Sequence, residues 1–286
     1  MTMNLKEIKH RIYSVKNTQK ITSAMKLVSS AKLRRTQSAI EGMRPYKEKI
    51  DSMLVDLLSD VKHINSPYTA EREVRKVILI AVASDSSMCG AFNGNILRFT
   101  RGIIDDYSSR GVSLELFPVG EKMKEMLHKY GLPISLELMP NAGAPKYDSV
   151  ASVARLLMDR FASGNVDKIE IVYTRYISAS KQLPAQETFL PVKIEPANGE
   201  TADFDCIVEP GRNELLLELL PKAITLRLYT ALLDSAVAEH SARMIAMQVA
   251  TDNADELISE LTLEYNKGRQ QAITNELLDI ISGSFM

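Results

Sequence analysis

The chain has 286 residues, of which 45% are hydrophobic and 25% are charged, and its formal net charge at pH 7 is −1. This composition is typical of a globular protein and excludes a strong overall charge that would favour nucleic acid or a membrane surface. No apolar run approaches the roughly 20 residues of a membrane-spanning helix and no signal core opens the chain, so we expect an intracellular protein, at most peripheral to a membrane.

The first predicted element is one long helix from residue 5 to about residue 60, in which Gly42 and Pro45 are the only helix-breaking residues. At about 1.5 Å per residue such a helix would be roughly 80 Å long. Its apolar stripe, with one slip in register, comprises Ile8, Ile12, Val15, Ile21, Met25 and Val28. Spacings of three and four predict a coiled-coil seam.

Predicted strands alternate with predicted helices in the central region. The strands are expected at residues 76–85, 112–119, 134–139 and 168–177, and the helices at 92–110, 120–130 and 148–163. Each helix is followed by a glycine, Gly111, Gly131 or Gly164. Such alternation predicts a mostly parallel sheet covered on both faces. Residues 181–210 contain four prolines and are expected to hold edge strands and loops.

The C-terminal region is predicted to be helical again, with Pro221 as the possible start of a new helix. Its seam residues are Leu233, Val237, His240, Met244, Met247, Thr251, Ala254, Ile258, Leu261 and Tyr265. Residues 1–40 carry nine Lys or Arg, whereas residues 251–281 carry seven Asp or Glu, so the two terminal helices are suited to pair. The predicted fold class is α/β: a long antiparallel coiled coil of N- and C-terminal helices plus a central Rossmann-like α/β domain with a mostly parallel sheet. The predicted domains are residues 1–60, 75–210 and 211–286.

Catalytic motifs are nearly absent from the sequence. GxxxxGK[ST], GxSxG and HExxH do not occur, and the four histidines show no metal-ligand spacing. The loop at residues 84–95 follows the first strand but lacks GxGxxG, and Cys89 is expected to pack there as a small apolar residue. Cys89 and Cys206 lack CxxC spacing, which favours a reducing compartment. Two alternatives stay open: a nucleotide-binding α/β enzyme with helical arms, and a coiled-coil nucleic-acid-binding or scaffold protein.

Three blocks of sequence closely resemble the gamma subunit of F-type ATP synthase of the bacterial type. They are KNTQKITSAMKLVSSAKLRR, SDSSMCGAFN, and ARMIAMQVATDNADELI followed by LEYNKGRQQAITNELLDIISG. The resemblance covers the whole chain. It implies a non-catalytic rotor shaft that couples proton-driven rotation of a membrane ring to conformational change in catalytic beta subunits. The implied partners are the alpha and beta subunits of a hexameric sleeve, the epsilon subunit and the membrane rotor c-ring, with no cofactor, nucleic acid or small-molecule substrate. The implied location is the cytoplasmic face of the bacterial plasma membrane.

The resemblance also implies roles for particular residues. The positions that match beta-subunit contacts are Met25, Lys26, Arg243, Arg269, Gln270, Thr274 and Glu276. The positions that match contacts with the membrane ring are Cys206, Ile207, Val208 and Glu209. Ser86 and Ser87 stand where the family usually has arginine and glycine, and Gly268 replaces a common alanine, which should cost the helix roughly 1 kcal/mol. We expect residues near Met25 to lie level with residues near Arg243, so that paired residue numbers sum to about 268.

Overall fold

The computed structural model describes residues 5–59, 66–131, 134, 141–192 and 211–284. The chain begins with the long helix α1 (Leu5–Ser59) and ends with the long helix α5 (Arg212–Ser284), and the shorter elements lie between them in the sequence. In chain order these are β1 (Lys76–Val82), α2 (Phe92–Ser109), β2 (Ser113–Val119), α3 (Glu121–Leu127) with a 3-10 turn at His128–Tyr130, α4 (Tyr147–Ala162), β3 (Lys168–Ser178) and β4 (Lys181–Leu190). The predicted combination of two long helices with a central α/β region is confirmed.

The chain divides into two compact units. The helical-pair unit consists of Met1–Ser30 and Arg243–Met286, and the α/β unit consists of Ala31–Ala242. Each long helix therefore contributes one part to the helical-pair unit and the other part to the α/β unit.

The α/β unit is built on a four-stranded sheet with the strand order β2-β1-β3-β4. β1 is parallel to β2 and to β3, and β4 pairs with β3 in the antiparallel direction. Every residue of β1 after Lys76 is buried, as expected for a central strand that is covered on both faces. The mostly parallel sheet is as predicted. Of the strand predicted at residues 134–139, Ile134 forms one parallel bridge with Leu116, and residues 135–139 lie outside the described part.

Alternation along β1 sends its side chains into two apolar cores. Ile78, Ile80 and Val82 pack with buried residues of α4, α5 and the C-terminal part of α1. Val77, Leu79 and Ala81 pack with buried residues of α2 and α3. The three glycines predicted to follow helices, Gly111, Gly131 and Gly164, have φ angles of 69°, 64° and 75°. A residue with a Cβ rarely adopts such an angle, so these helices end where the glycines allow the chain to turn.

Helix α5 continues through Pro221, and the expectation that this proline begins a new helix is wrong. Proline removes one backbone hydrogen bond and crowds the preceding turn, which costs roughly 3 kcal/mol. Leu216 and Leu220, in the turns before the proline, are 2% and 1% exposed within the core. Burying two leucines contributes about 2 kcal/mol each. This packing is enough to keep the helix continuous.

Candidate functional site

The seam of α1 in the helical-pair unit follows an unbroken heptad rather than the predicted stripe. The buried or half-buried seam positions are Leu5, Ile8, Ile12, Val15, Gln19, Thr22, Lys26 and Ser29. Ile21 and Val28, predicted to lie in the seam, are 60% and 56% exposed, and Met25 is half-buried. The prediction followed hydrophobic residues only and so introduced a slip in the register of the seam between Val15 and Ile21. The spacing of three and four in fact continues without a break through polar residues.

The seam of α5 agrees with the sequence prediction. All ten predicted positions from Leu233 to Tyr265 are buried or half-buried, and the same spacing continues to Gly268 and Ala272. In the helical-pair unit the most buried of these are Met247, Ala254 and Leu261, each 5% exposed. Between them the helix exposes its remaining faces, including the acidic residues Asp252, Asp255 and Glu256. The apolar contact between the two helices is therefore narrow.

The two helices pair in the antiparallel direction with a defined register. Gln19 Nε2 donates to Asp255 Oδ1 over 2.7 Å, and the hydroxyl oxygens of Thr22 and Thr251 lie 2.9 Å apart. At the other end of the pair, a Cβ on Gly268 would lie 3.1 Å from Leu5 Cδ2. Level residues thus have numbers that sum to about 273.

This register corrects the predicted sum of about 268. Met25 is level with Gln248 rather than with Arg243, and the offset of five residues corresponds to about 7.5 Å along the axis. The antiparallel direction was predictable from the topology. The register was not, because it depends on which polar side chains meet across the seam.

The polar stretch of the seam can hold the helices together without trapping unsatisfied hydroxyl groups. The Thr22 hydroxyl donates to the Gln19 carbonyl over 3.0 Å, and the Thr251 hydroxyl also lies 2.8 Å from the Met247 carbonyl. Ser29, which is 2% exposed, donates to the Met25 carbonyl over 2.8 Å. Each of these groups keeps a partner on its own helix. A cross-helix hydrogen bond here contributes only about 1 kcal/mol net, so contacts in this stretch can break and re-form.

The residues predicted to touch beta subunits fall into two environments. On α1, Met25 and Lys26 are half-buried, and Lys26 takes a seam position. On α5, Arg243 is only 8% exposed. The four polar tip residues are exposed: Arg269, Gln270, Thr274 and Glu276. Within this set, the Thr274 hydroxyl donates to the Gln270 carbonyl over 2.9 Å. The structure brings these four together near the end of α5 and places Met25, Lys26 and Arg243 elsewhere in the same unit.

The exposed tip of α5 is also apolar to an unusual extent for a surface helix. Between one half and two thirds of each large apolar side chain is exposed at Ile273, Leu277, Leu278, Ile280 and Ile281. Ile273, Leu277, Ile280 and Ile281 follow the i, i+4, i+7, i+8 spacing of a single helix face, and Leu278 lies about 60° further round. An exposed apolar stripe of this kind fits against an apolar surface of another subunit. The predicted membrane-ring contacts, Cys206 to Glu209, lie outside the described residues.

In the α/β unit, α5 occupies the place where a doubly wound sheet usually binds a ligand. That place lies at the carboxyl end of β1, between its neighbours β2 and β3. Cys89 and Phe92 of the following loop and helix pack against Ala238 of α5. Cys89 is 1% exposed, and the Asn93 side chain bonds Ser84. The loop is thus a packed turn that supports a helix, as the packing interpretation of residues 84–95 predicted.

Among the described residues, no group of three or more His, Cys, Asp or Glu side chains is arranged to hold a metal ion. None of the helices in the described ranges combines the length and apolar composition needed to cross a bilayer.

The chain is similar to known proteins over nearly its whole length. A family model described as ATP synthase matches residues 4–285. The ATP synthase gamma chain of Phocaeicola vulgatus is 45% identical over 287 residues, which cover 98% of this chain and 99% of that protein. The ATP synthase gamma chain of Flavobacterium psychrophilum is 41% identical over 286 residues, which cover 98% of both chains.

Solved structures share the fold. A chain in the cryo-EM structure of Euglena gracilis mitochondrial ATP synthase (OSCP/F1/c-ring) has a TM-score of 0.65 at 19% identity, covering 98% of this chain and 93% of that chain. A chain in the central stalk and c-ring structure of Tetrahymena thermophila mitochondrial ATP synthase has a TM-score of 0.58 at 20% identity, covering 80% of this chain and 99% of that chain.

Proposed function

Because this chain belongs to the family of ATP synthase gamma chains, we propose that two sets of side chains on its long helices are the points at which it meets catalytic beta subunits. The subunit is the central rotor shaft of ATP synthase and is not itself catalytic. It couples rotation of the membrane ring to conformational change in beta subunits, and thereby to ATP synthesis or hydrolysis. Its partners in the complex are the alpha and beta subunits, the epsilon subunit and the c-ring.

The observation that carries the proposal is the narrow, partly polar seam of the helical-pair unit. A shaft that turns inside other subunits must hold its two helices together while its outer surface stays able to exchange partners. The described contacts meet both needs, since few side chains are used between the helices and most are exposed. Hydrogen bonds of about 1 kcal/mol can be exchanged at each step, whereas a continuous apolar outer face would attract the surrounding subunits in proportion to the apolar area buried.

The first set consists of Met25, Lys26 and Arg243. All three lie in the helical-pair unit and are buried or half-buried, so only part of each side chain is exposed to another subunit. We assign them contacts with a beta-subunit loop that depend on the rotation of the pair.

The second set consists of the four polar tip residues. Their exposure leaves Arg269, Gln270 and Glu276 able to hydrogen-bond beta subunits, while the large apolar residues of the same tip face an apolar surface of the sleeve. Thr274 is the residue whose role can be tested most cleanly, because Ser259 on the same helix is an exposed control whose hydroxyl makes the same kind of hydrogen bond. Thr274 donates to the Gln270 carbonyl over 2.9 Å and Ser259 to the Asp255 carbonyl over 3.0 Å.

The test uses the purified complex that contains the full chain. Thr274→Ala should lower the ATPase rate by up to about fivefold, because one polar contact of about 1 kcal/mol is lost, and Ser259→Ala should leave the rate unchanged. Equal rates for the two variants would remove Thr274 from the proposed contacts. Failure of the unmodified chain to co-purify with alpha and beta subunits would contradict the proposed function as a whole.

We also propose that Cys206, Ile207, Val208 and Glu209 contact the c-ring and that the complex lies on the cytoplasmic face of the bacterial plasma membrane. The first proposal follows from the resemblance alone. A thiol-specific photo-cross-linker tests it well, because Cys89 is 1% exposed and should not react. The expected product joins this chain to a c-ring subunit, and a product with the alpha or beta subunit alone would contradict the assignment.

The proposed location is tested with membrane vesicles. Protease added to inside-out vesicles, but not to right-side-out vesicles, should digest exposed parts of the complex.

A further inference from the structure

Helix α5 changes character where it passes through the α/β unit. All seven residues from Ser235 to Ser241 are buried, although a helix that packs on one side buries only a stripe. The segment is therefore covered on every side. Three polar residues at or beside it, Asp234, His240 and Ser241, make contacts that play no part in the proposed beta-subunit contacts.

The first contact holds the loop that precedes α4. His240 Nε2 lies 2.9 Å from the Gly143 carbonyl oxygen, and because a carbonyl can only accept, this ring nitrogen carries the proton. The Gly143 N–H in turn donates to Asp85 Oδ2 over 3.2 Å. Both backbone groups of Gly143 are thus held, one by α5 and the other by the segment that follows β1.

The second and third contacts hold the β3–β4 hairpin, one at its turn and the other near the end of β3. The Ser241 hydroxyl donates to the Ala179 carbonyl over 3.0 Å, and the Tyr176 N–H donates to Asp234 Oδ1 over 3.2 Å. Burial raises the pKa of the Asp234 carboxyl to about 6, although the Tyr176 N–H and Arg175 both lower it. The strand pairing is irregular between Tyr176 and Ser178, which lets the Tyr176 N–H turn toward the helix.

The directions of these contacts around α5 matter. Asp234 and Ser241 are seven residues apart and so lie on nearly the same face, whereas His240 is displaced from that face by about 100°. Apolar contacts are non-directional and let a helix turn against its neighbours, but hydrogen bonds weaken steeply when their angle changes. Two bonded directions that differ by about 100° therefore oppose rotation of α5 in either sense.

We propose that the loop around Gly143 and the β3–β4 turn form a collar that fixes the rotational angle of α5 in the α/β unit, and that torque passes through this collar. His240, Ser241 and Asp234 are the positioning residues of the joint. The proposal rests on the proposed function, because torque has meaning only for a chain that works as a shaft. It adds the place at which the α/β unit grips the helix.

The test compares His240→Leu and Ser241→Ala with two controls in the purified complex. His240→Gln restores an N–H donor that can reach the Gly143 carbonyl. Thr230→Ala removes a hydroxyl of α5 whose bonds go only to its own helix, at the Leu226 and Arg227 carbonyls. A bead is fixed to the α/β unit, and its angular spread is recorded while the enzyme pauses. Proton pumping per ATP hydrolysed is measured on the same preparations.

His240→Leu and Ser241→Ala should widen the angular spread and lower pumping per ATP, and His240→Gln should restore both to the Thr230→Ala value. Hydrogen exchange should report the same loosening, with the amides of Gly143 and of the β3–β4 turn exchanging about fivefold faster, the factor expected for one lost hydrogen bond. An angular spread in both variants equal to that of Thr230→Ala overturns the collar while leaving the shaft function intact. A complex that does not rotate even with the unmodified chain overturns the proposed function and the collar with it.

Discussion

The register of the helical pair can be tested by a disulfide between positions 22 and 251. The two hydroxyl oxygens lie 2.9 Å apart, so cysteines at these positions place their sulfur atoms within reach of the roughly 2.05 Å bond that a disulfide requires. Positions 25 and 244 serve as the comparison. Their numbers sum to 269 rather than 273, which displaces them by about 6 Å along the axis in addition to the distance between the helices. Such a pair exceeds the roughly 7 Å between Cα atoms that a disulfide can bridge.

The assay is mild oxidation of each double variant in the purified complex, followed by electrophoresis without reductant. An internal link shortens the unfolded chain and speeds its migration. The 22/251 pair should link nearly completely, and the 25/244 pair should not link above the level of the single-cysteine variants, which control for pairing with Cys89 or Cys206. Efficient linking of 25/244 without linking of 22/251 would show that a register with a sum of about 273 is wrong by about one turn of helix.

Three further predictions concern stability and torque. Gly268→Ala should stabilise the helical-pair unit by about 0.5 kcal/mol. The gain of about 1 kcal/mol in helix propensity exceeds the energy needed to shift the flexible Leu5 side chain. Thermal unfolding tests this, and a lower melting temperature would contradict it. Because the folded-state pKa of Asp234, about 6, is raised above its ordinary value of 3.8, the contribution of Asp234 to stability should fall as pH rises from 4 to 6. Asp234→Asn should remove that fall and stabilise the protein at pH 8 by about 1 kcal/mol, a value that allows for the part of the carboxyl that water reaches. A melting temperature with the same pH profile in the variant would refute this. Alanine at any single polar tip residue should slow turnover modestly and leave assembly intact. Deletion of residues 269–286 should lower both torque and complex stability, and full torque in the deletion variant would contradict this prediction.

Much of the fold was predictable because it depends on patterns that the sequence repeats. The run VILIAV can only be a buried strand or a buried helix segment, and the glycines at 111, 131 and 164 each end a helix that the periodicity had indicated. The seam of α5 was visible for the same reason, since most of its positions are apolar.

The seam of α1 and the collar were not predictable in the same way. Gln19, Thr22 and Lys26 are polar, so hydrophobicity pointed to Ile21 and Val28 instead, although strict continuation of the heptad from Ile8 would have found the correct residues. The collar has no sequence signal of this kind. His240 and Ser241 bond backbone carbonyls of residues about 100 and 60 positions earlier, and a backbone carbonyl is present at every position of the chain.

The pairing of Thr22 with Thr251 has a consequence for biosynthesis. The two residues are 229 positions apart, so at about 5 to 20 residues per second the N-terminal helix waits roughly 10 to 45 s on the ribosome before its partner segment emerges. An exposed apolar stripe along the whole helix would invite aggregation during that interval. Polar groups that are already bonded to their own helix, as at Thr22 and Ser29, reduce the apolar surface that this nascent segment exposes during the interval.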